Sequence, residues 1–258
     1  IYSLALHPKS KQDQEKLGQS LAKLHKEDPS FTYRMDAEFS ETIISGLGDM
    51  HLNVIIERLG RKFDVGITTG LPQVPYRETI KGSAKKQGKY KRQSGGRGQF
   101  GDVHIELKPF PGGGFEFVDA IVGGVVPKNY IPAVEKGIRG AMLEGYLAGC
   151  QVVDISATIY DGSFHPVDSS DMAFQIAGSM AFKGCMAEAK PVLLEPIYKV
   201  EITIPEDYMG DIMGDLNSRR GKILGMDSKD KIQIISALVP LSEMFTYIND
   251  LKSMTGGR

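Results

Sequence analysis

Residues 49–63 read D-M-H-L-N-V-I-I-E-R-L-G-R-K-F, and the fold of the chain is first visible in this stretch. Its apolar residues recur at the spacing i, i+3, i+4, i+7 and i+11, which is typical of one face of a helix. They are Leu52, Ile55, Ile56, Leu59 and Phe63. The spacing predicts an amphipathic helix, and Asp49 is predicted to cap its amino end.

The neighbouring segments predict a complete ferredoxin-like unit. Before this helix, residues 1–7 form a predicted strand and residues 9–27 a predicted helix. Two further strands are predicted at residues 31–39 and 42–47, and a last one follows the helix at residues 64–69. The order is βαββαβ, the split βαβ pattern. We therefore assign residues 1–72 to a first, ferredoxin-like domain.

The end of the chain repeats most of this order. Residues 197–204 predict a strand and residues 205–217 a helix. Two strands at 222–226 and 231–238 predict a hairpin, and a helix is predicted at 240–253. The order βαββα predicts a second ferredoxin-like domain, residues 194–258, that lacks its last strand.

Between them, residues 73–193 mix strands and helices, so the fold class of the chain is α+β. Strands are predicted at residues 74–80, 102–108, 115–122 and 152–160. A helix is predicted at 130–146, and a second one is predicted to begin with Asp168 or Ser169 as its cap. The polar side chains of residues 168–171 are predicted to bind the first free amides of that helix.

The composition bounds the class of protein. The 258 residues carry a net charge of -1, with 41% hydrophobic and 24% charged residues, as expected of a soluble globular protein. Cys150 and Cys185 are too few for a disulfide framework or a zinc site, which indicates a reducing compartment. We expect no signal peptide and no membrane span. Because the chain opens at Ile1 without Met, we expect an internal piece of a longer protein.

Residues 80–101 are basic and then rich in glycine: I-K-G-S-A-K-K-Q-G-K-Y-K-R-Q-S-G-G-R-G-Q-F-G. We expect a presented loop whose charged half suits a phosphate backbone. A solvated basic hairpin is the open alternative. Residues 96–101 also fit G-x-G-x-x-G, but the alternating residues that follow predict a strand, where a dinucleotide site needs a helix. A nucleotide-dependent enzyme is therefore disfavoured.

A second candidate loop covers residues 161–168 and carries His165. An imidazole there can hydrogen-bond to RNA or stack on it, or it can be an ordinary exposed histidine. Arg219, Arg220 and Lys222 lie at a helix end. One interpretation is that they interact favourably with the helix dipole, with Gly221 as the C-terminal cap of the helix. The alternative is that they contact RNA phosphate. The chain contains no P-loop, and its histidines show no metal-ligand spacing, so neither a catalytic nor a metal site is predicted.

Two motifs closely resemble the C-terminal half of bacterial elongation factor G, or of an elongation factor G-like paralogue. They are Q-S-G-G-R-G-Q-F-G at residues 93–101 and F-H-P-V-D-S-S at residues 164–170. Further similar stretches lie in the same order along the chain, at residues 26–31, 46–52, 70–80, 189–196 and 239–245. The resemblance therefore covers nearly all of the chain.

This resemblance implies domains III, IV and V of the family. Domain IV would have a ribosomal-protein-like fold with a left-handed βαβ crossover. The family's GTPase domain, with its GTP and Mg²⁺, would precede Ile1. The resemblance therefore implies a parent GTPase, whereas this part itself would hold no cofactor and catalyse no reaction.

By resemblance, the chain promotes movement of tRNA and mRNA through the ribosome, and two loops at the tip of domain IV contact the tRNA–mRNA duplex. The implied tip residues are Gln93, Ser94, Gly95, Gly96, Arg97, Gly98, Gln99, His165, Pro166 and Asp168. The candidate contacts to rRNA are Lys89, Lys91, Arg92, Arg219, Arg220 and Lys222.

The implied partners are ribosomal RNA, ribosomal proteins, the tRNA–mRNA duplex and ribosome recycling factor, for a cytoplasmic monomer that binds no membrane. The chain departs from the common pattern at Pro166, where the main translocase has Asp. The Pro form resembles a paralogous group, so a role in ribosome recycling or ribosome protection is the alternative. Pro166 would also stiffen its loop.

Overall fold

The computed structural model of the chain describes residues 2–93, 98–229 and 231–257. The fold is α+β, as predicted, with several small sheets and their helices. The chain forms two compact units. One contains residues 1–74 together with 196–258, and the other contains residues 75–195.

The first sheet confirms the ferredoxin-like prediction. Its elements are β1 (Tyr2–Pro8), α1 (Lys11–Glu27), β2 (Thr32–Asp36), β3 (Glu41–Gly46), α2 (Asp49–Phe63) and β4 (Ile67–Gly70). The strand order is β2-β3-β1-β4, and every neighbouring pair is antiparallel. The predicted stripe of α2 is buried at Leu52, Ile55 and Leu59, where it packs into the core of this sheet.

Two local predictions in this region are wrong. Asp49 is the first residue of α2 and does not cap it; Gly48 precedes the helix and supplies no side chain. The Asp49 carboxylate still lies in the first turn, where the helix dipole favours negative charge. β4 begins at Ile67 because Asp64 ends α2 in the left-handed conformation, with φ 53°, and so cannot start a strand.

The described residues of the second unit form six strands and two α-helices between residues 77 and 194. They are β5 (Arg77–Ile80), β6 (Ala84–Arg92), β7 (Gln99–Pro109), β8 (Phe115–Asp119), α3 (Ile131–Glu144), β9 (Ile155–Ser163), α4 (Asp171–Glu188) and β10 (Pro191–Leu194). The main sheet has the order β6-β7-β9-β8, and β10 pairs with β5. β8 and β9 are parallel and are connected through α3. This is a βαβ unit, and its left hand stays a prediction.

The prediction of a presented loop over residues 80–101 is wrong for the charged half of this stretch. Residues 84–92 are β6, which pairs with β7 from Ala84 opposite Leu107 to Arg92 opposite Gln99. The strand was hidden because its two buried positions, Ala84 and Gly88, are small residues. A Cβ on Gly88 would lie 2.0 Å from the Ala177 carbonyl oxygen of α4, so no larger residue fits. β9 likewise extends to Ser163, which shortens the second predicted loop.

The third sheet is built from the end of the chain. Its elements are β11 (Ile197–Pro205), α5 (Met209–Ser218), β12 (Lys222–Lys229), β13 (Ile232–Pro240) and α6 (Tyr247–Thr255). The order β11-β13-β12 matches that of β1, β3 and β2, and both pairs are antiparallel. The described residues contain no counterpart of β4 in this sheet. None of the helices in the described part of the chain is long and apolar enough to cross a membrane.

Candidate nucleic-acid interface

The two predicted tip loops meet in the second unit through their described residues. The amide of Gly98 donates to Asp168 Oδ1 at 3.0 Å, and the amide of Phe100 donates to the Asp168 carbonyl at 2.8 Å. The Ser169 hydroxyl donates to the Phe100 carbonyl at 3.0 Å. These bonds join the start of β7 to the segment before α4, so residues 98–100 and 165–169 form a single surface.

His165 is held by its own loop. Its backbone amide donates to Ser169 Oγ at 2.9 Å, and its Nδ1 accepts from the amides of Val167 and Asp168 at 3.3 and 3.1 Å. Because Nδ1 accepts both bonds, the proton of the neutral ring lies on Nε2. The side chain is 50% exposed, so Nε2–H is a donor available to a ligand.

A cavity of about 180 Å³ lies between the loops. The residues that line it are Lys91, Arg92, Gln93, Gln99, Phe100, His165 and Asp168. Its wall contains two cations, two amide side chains, a phenyl ring, an imidazole and one carboxylate. Such a lining suits phosphate and ribose groups better than an apolar ligand.

The basic residues of β6 differ in how far they are neutralised. Lys85 lies 3.8 Å from Glu106, Lys86 lies 2.6 Å from Glu188, and Lys89 lies 3.8 Å from Asp102. By contrast, neither Lys91 nor Arg92 forms an ion pair with any described residue. The uncompensated positive charge of this strand is therefore concentrated at the cavity.

Asp102 is a buried carboxylate on β7, close to the loops. Nothing in the sequence had singled it out. It accepts from Gln87 Nε2 at 2.7 Å and from the Ser163 hydroxyl at 2.8 Å, so it links β6, β7 and β9. An acidic residue across from a lysine-rich strand was a possible signal. It required the pairing of β6 with β7 to be known first.

Several residues of the predicted site have contacts that differ from those expected. Ser170 caps α4 by accepting from the Ala173 amide, so the cap predicted within residues 168–171 is confirmed, but its placement at Asp168 or Ser169 is wrong. Their side chains instead bind the neighbouring loop. Pro166 is exposed in the His165 loop. Ser94, Gly95, Gly96 and Arg97 lie outside the described residues.

The chain matches three sequence models of one family. Residues 1–71 match elongation factor G domain III, residues 72–190 match elongation factor G domain IV, and residues 192–258 match the elongation factor G C-terminus. The chain belongs to the elongation factor G family. The cavity between the loops lies in the part that matches domain IV.

The solved structures include a relative of this chain. A crystal structure of a protein from Thermus thermophilus is 47% identical, with a TM-score of 0.83. The match covers 99% of this chain and 38% of that one, so the chain spans well under half of the relative's length. The matched family models are those of domains III, IV and the C-terminus.

In the part that matches the elongation factor G C-terminus, Arg219 is committed to internal contacts. Its guanidinium donates to Asp215 and Asp250 at 2.8 Å each and to the Glu243 carbonyl at 3.0 Å, and it lies over the Tyr247 ring. Burial lowers the pKa of Arg219, but the two carboxylates outweigh it and raise the pKa above its ordinary value. These contacts favour a stabilising role for Arg219 over an rRNA contact.

Its neighbours are more accessible. Arg220 is exposed and donates to Glu243 Oε1 at 3.2 Å, and Lys222 is exposed at the start of β12. The predicted Gly221 cap is wrong, because Arg220 itself takes the left-handed conformation, with φ 60°. Gly221 has a different reason to be glycine: a Cβ there would lie 2.6 Å from the Leu216 carbonyl oxygen.

The described residues contain no group of histidine, cysteine or acidic side chains that could hold a metal ion. Cys185 is buried in the second unit, and burial raises the pKa of its thiol to about 11. Its thiol is therefore protonated at neutral pH and is a poor nucleophile or metal ligand.

Proposed function

We propose that this chain is the ribosome-binding part of a translational GTPase, and that the cavity between its two loops contacts RNA of the tRNA–mRNA duplex during translocation. The observation that carries the proposal is the pair of cations without acidic partners among the described residues, Lys91 and Arg92, that share the cavity with the half-exposed His165. Membership of the elongation factor G family supports the same role.

The chemistry of this surface fits positioning of RNA rather than reading of its sequence. Lys91 and Arg92 attract phosphate by releasing its condensed counterions. Gln93 and Gln99 offer amides that both donate and accept, and His165 offers a donor at Nε2. Phosphate and sugar contacts of this kind fix register and orientation without discriminating between bases.

The proposed division of labour places the GTP chemistry outside this chain. GTP and Mg²⁺ would bind to a preceding domain of the parent protein, where phosphoryl transfer is catalysed. The three domains proposed from the sequence, residues 1–72, 73–193 and 194–258, would contact rRNA, ribosomal proteins and ribosome recycling factor in a cytoplasmic monomer. Lys89, Arg220 and Lys222 remain proposed phosphate contacts.

The His165→Ala variant of the full-length protein tests the role of the tip. We expect translocation to slow about tenfold, the value of one hydrogen bond of about 1.4 kcal/mol, while ribosome-stimulated GTP hydrolysis is nearly unchanged. Rapid-mixing measurements of both rates on the same ribosome complex give the comparison. The reason for the difference is that the imidazole meets RNA and takes no part in phosphoryl transfer.

His7→Ala is the matched control, because His7 is 46% exposed and lies on β1, which belongs to the other compact unit. It should leave both rates unchanged. An equal fall of the two rates in His165→Ala would contradict the proposal.

Pro166 favours a second candidate function, namely a paralogue dedicated to ribosome recycling or ribosome protection. The ring fixes φ and removes an amide donor, so the His165 loop would adapt less to its ligand. The full-length protein should then split ribosomal subunits with recycling factor but translocate poorly. Robust translocation in parallel assays excludes this candidate.

A further inference from the structure

The carboxylate of Asp168 is occupied within the protein. Oδ1 accepts from the Gly98 amide at 3.0 Å, across the two loops, and the side chain is only 24% exposed. The contact is tight, because a Cβ on Gly98 would lie 2.9 Å from Asp168 Cγ. The acidic side chain thus lies in the wall of a cavity that otherwise carries Lys91 and Arg92. A carboxylate is a poor phosphate ligand, so this position needs another explanation.

The hydrogen bonds around Asp168 supply one. Its amide donates to His165 Nδ1, its carbonyl accepts from Phe100, and its carboxylate accepts from Gly98. A single residue therefore contacts the imidazole on one side and the start of β7 on the other. Next to it, the buried Ser169 holds the His165 amide and the Phe100 carbonyl.

We propose that Asp168 is a positioning residue that locks the two loops together and keeps His165 in the Nε2–H tautomer. The RNA group that meets His165 is then a hydrogen-bond acceptor, such as a phosphate or ribose oxygen. This inference rests on the proposed function, and it assigns to Asp168 a role other than ligand contact.

The same geometry offers Asp168 an alternative role as an ion-pair partner. Its Oδ2 lies 3.5 Å from His165 Nδ1, the distance of an ion pair if the ring is protonated. In that arrangement Nδ1 would carry a proton and could no longer accept from the amides of Val167 and Asp168. The two shorter amide contacts, at 3.3 and 3.1 Å, favour the neutral ring.

The substitutions Asp168→Asn and Asp168→Ala separate these roles. Asn keeps an oxygen that can accept from Gly98 but loses the charge, whereas Ala loses both. The 258-residue chain with ¹⁵N-labelled histidine is studied by long-range ¹H–¹⁵N NMR at about pH 8, where a free imidazole is neutral. His165→Ala assigns the signal among the five histidines.

We expect the native chain and Asp168→Asn to show a single Nε2–H tautomer at His165, and Asp168→Ala to show averaged shifts. Gly98→Ala, which pushes the loops apart from the other side, should resemble Asp168→Ala. In the full-length protein, Asp168→Ala should slow translocation about tenfold, as His165→Ala does, and Asp168→Asn should restore it.

Two results would overturn the inference. If Asp168→Asn is as defective as Asp168→Ala, the charge itself is required; if the tautomer is unchanged in Asp168→Ala, Asp168 does not position the ring. These results are distinct from failure of the proposed function, in which His165→Ala itself has no effect on translocation.

Discussion

Glu78, on β5, is a fully buried carboxylate in the second unit. It accepts four backbone amides of the segment after α3, from Tyr146, Leu147, Ala148 and Cys150, at 2.7 to 3.1 Å. Burial alone would raise the pKa of Glu78, but the four donors outweigh it and hold the pKa below its ordinary value. The side chain therefore fixes a segment about 70 residues away in the sequence.

Glu78→Gln should destabilise this unit by about 2–3 kcal/mol, because the amide nitrogen would face backbone donors and leave them without an acceptor. Since the native pKa is lowered, the carboxylate stabilises the fold above its unfolded pKa, near 4.5, and this stability is lost as the pH falls through the folded value. Denaturant unfolding of both chains at several pH values measures the difference.

The difference in free energy of unfolding between the native chain and Glu78→Gln should be constant near neutral pH and should decrease in acid. Glu116→Gln is the control, since Glu116 is exposed on β8 and, within the described part of the chain, its carboxylate accepts a hydrogen bond only from the Ser156 hydroxyl. If the Glu78→Gln chain is as stable as this control, hydrogen bonds from the four amides to the Glu78 carboxylate stabilise the fold no more than hydrogen bonds from the same amides to water.

Helices α3 and α4 pack through glycine. A Cβ on Gly137 of α3 would lie 2.0 Å from the Gln175 carbonyl oxygen, and one on Gly178 of α4 would lie 2.7 Å from that of Val134. Gly88 allows the same close approach between α4 and β6. Backbone-to-backbone packing on both faces places the amino end of α4, and with it the His165 loop, close to the sheet.

Gly137→Ala should therefore destabilise the second unit by about 1–3 kcal/mol, because the new methyl group forces the two helices apart. Gly140→Ala is the matched control in the same helix. Gly140 is exposed and has open space at its Cβ, so alanine should stabilise the chain by up to about 1 kcal/mol through helix propensity. Thermal unfolding of the two variants gives the comparison, and a change of the same sign in both would contradict it.

Charge is unevenly distributed over the molecule. The net charge is -1, so no global attraction to nucleic acid is expected. Ion pairs to Glu106 and Glu188 neutralise the lysines in the first half of β6, whereas Lys91 and Arg92 at its end have no such partners among the described residues. Any attraction to RNA should therefore be local to the cavity.

Lys91→Ala with Arg92→Ala in the full-length protein should weaken ribosome binding and reduce the slope of log affinity against log salt by about 1 per lost phosphate contact. Lys85→Ala with Lys86→Ala removes the same charge from the same strand and is the control. Its slope should remain close to that of the native protein. Equal slopes for the two double variants would show that the net charge, rather than the cavity, governs binding.

The ferredoxin-like order could be predicted because it depends on local patterns. The stripe from Leu52 to Leu59 and the strands beside it follow periods of 3.6 and 2, which neighbouring residues alone establish. β6 could not be predicted, because its buried residues Ala84 and Gly88 are small and give no hydrophobic alternation. They are small because α4, which lies far away in the sequence, packs closely against this strand.

The candidate site divides in the same way. The basic residues of β6 and the loop around His165 were evident from residue types and turn chemistry. Asp102, Ser169 and the clamp from Asp168 to Gly98 were not, since they depend on hydrogen bonds between residues 15 to 70 positions apart. The internal contacts of Arg219 could not be predicted for the same reason, because Asp250 and the Tyr247 ring reach its guanidinium only after α6 has packed.

Local sequence thus specified the helices, most of the strands and the residues that can bind phosphate, because hydrophobic period and side-chain chemistry act over a few residues. Folding selected which of those residues are available. It paired Lys85, Lys86 and Arg219 with carboxylates and left Lys91 and Arg92 beside the cavity. It also brought the Gly98 amide to the partly buried carboxylate of Asp168, since a carboxylate that loses much of its water is stable where donors from elsewhere in the chain replace it.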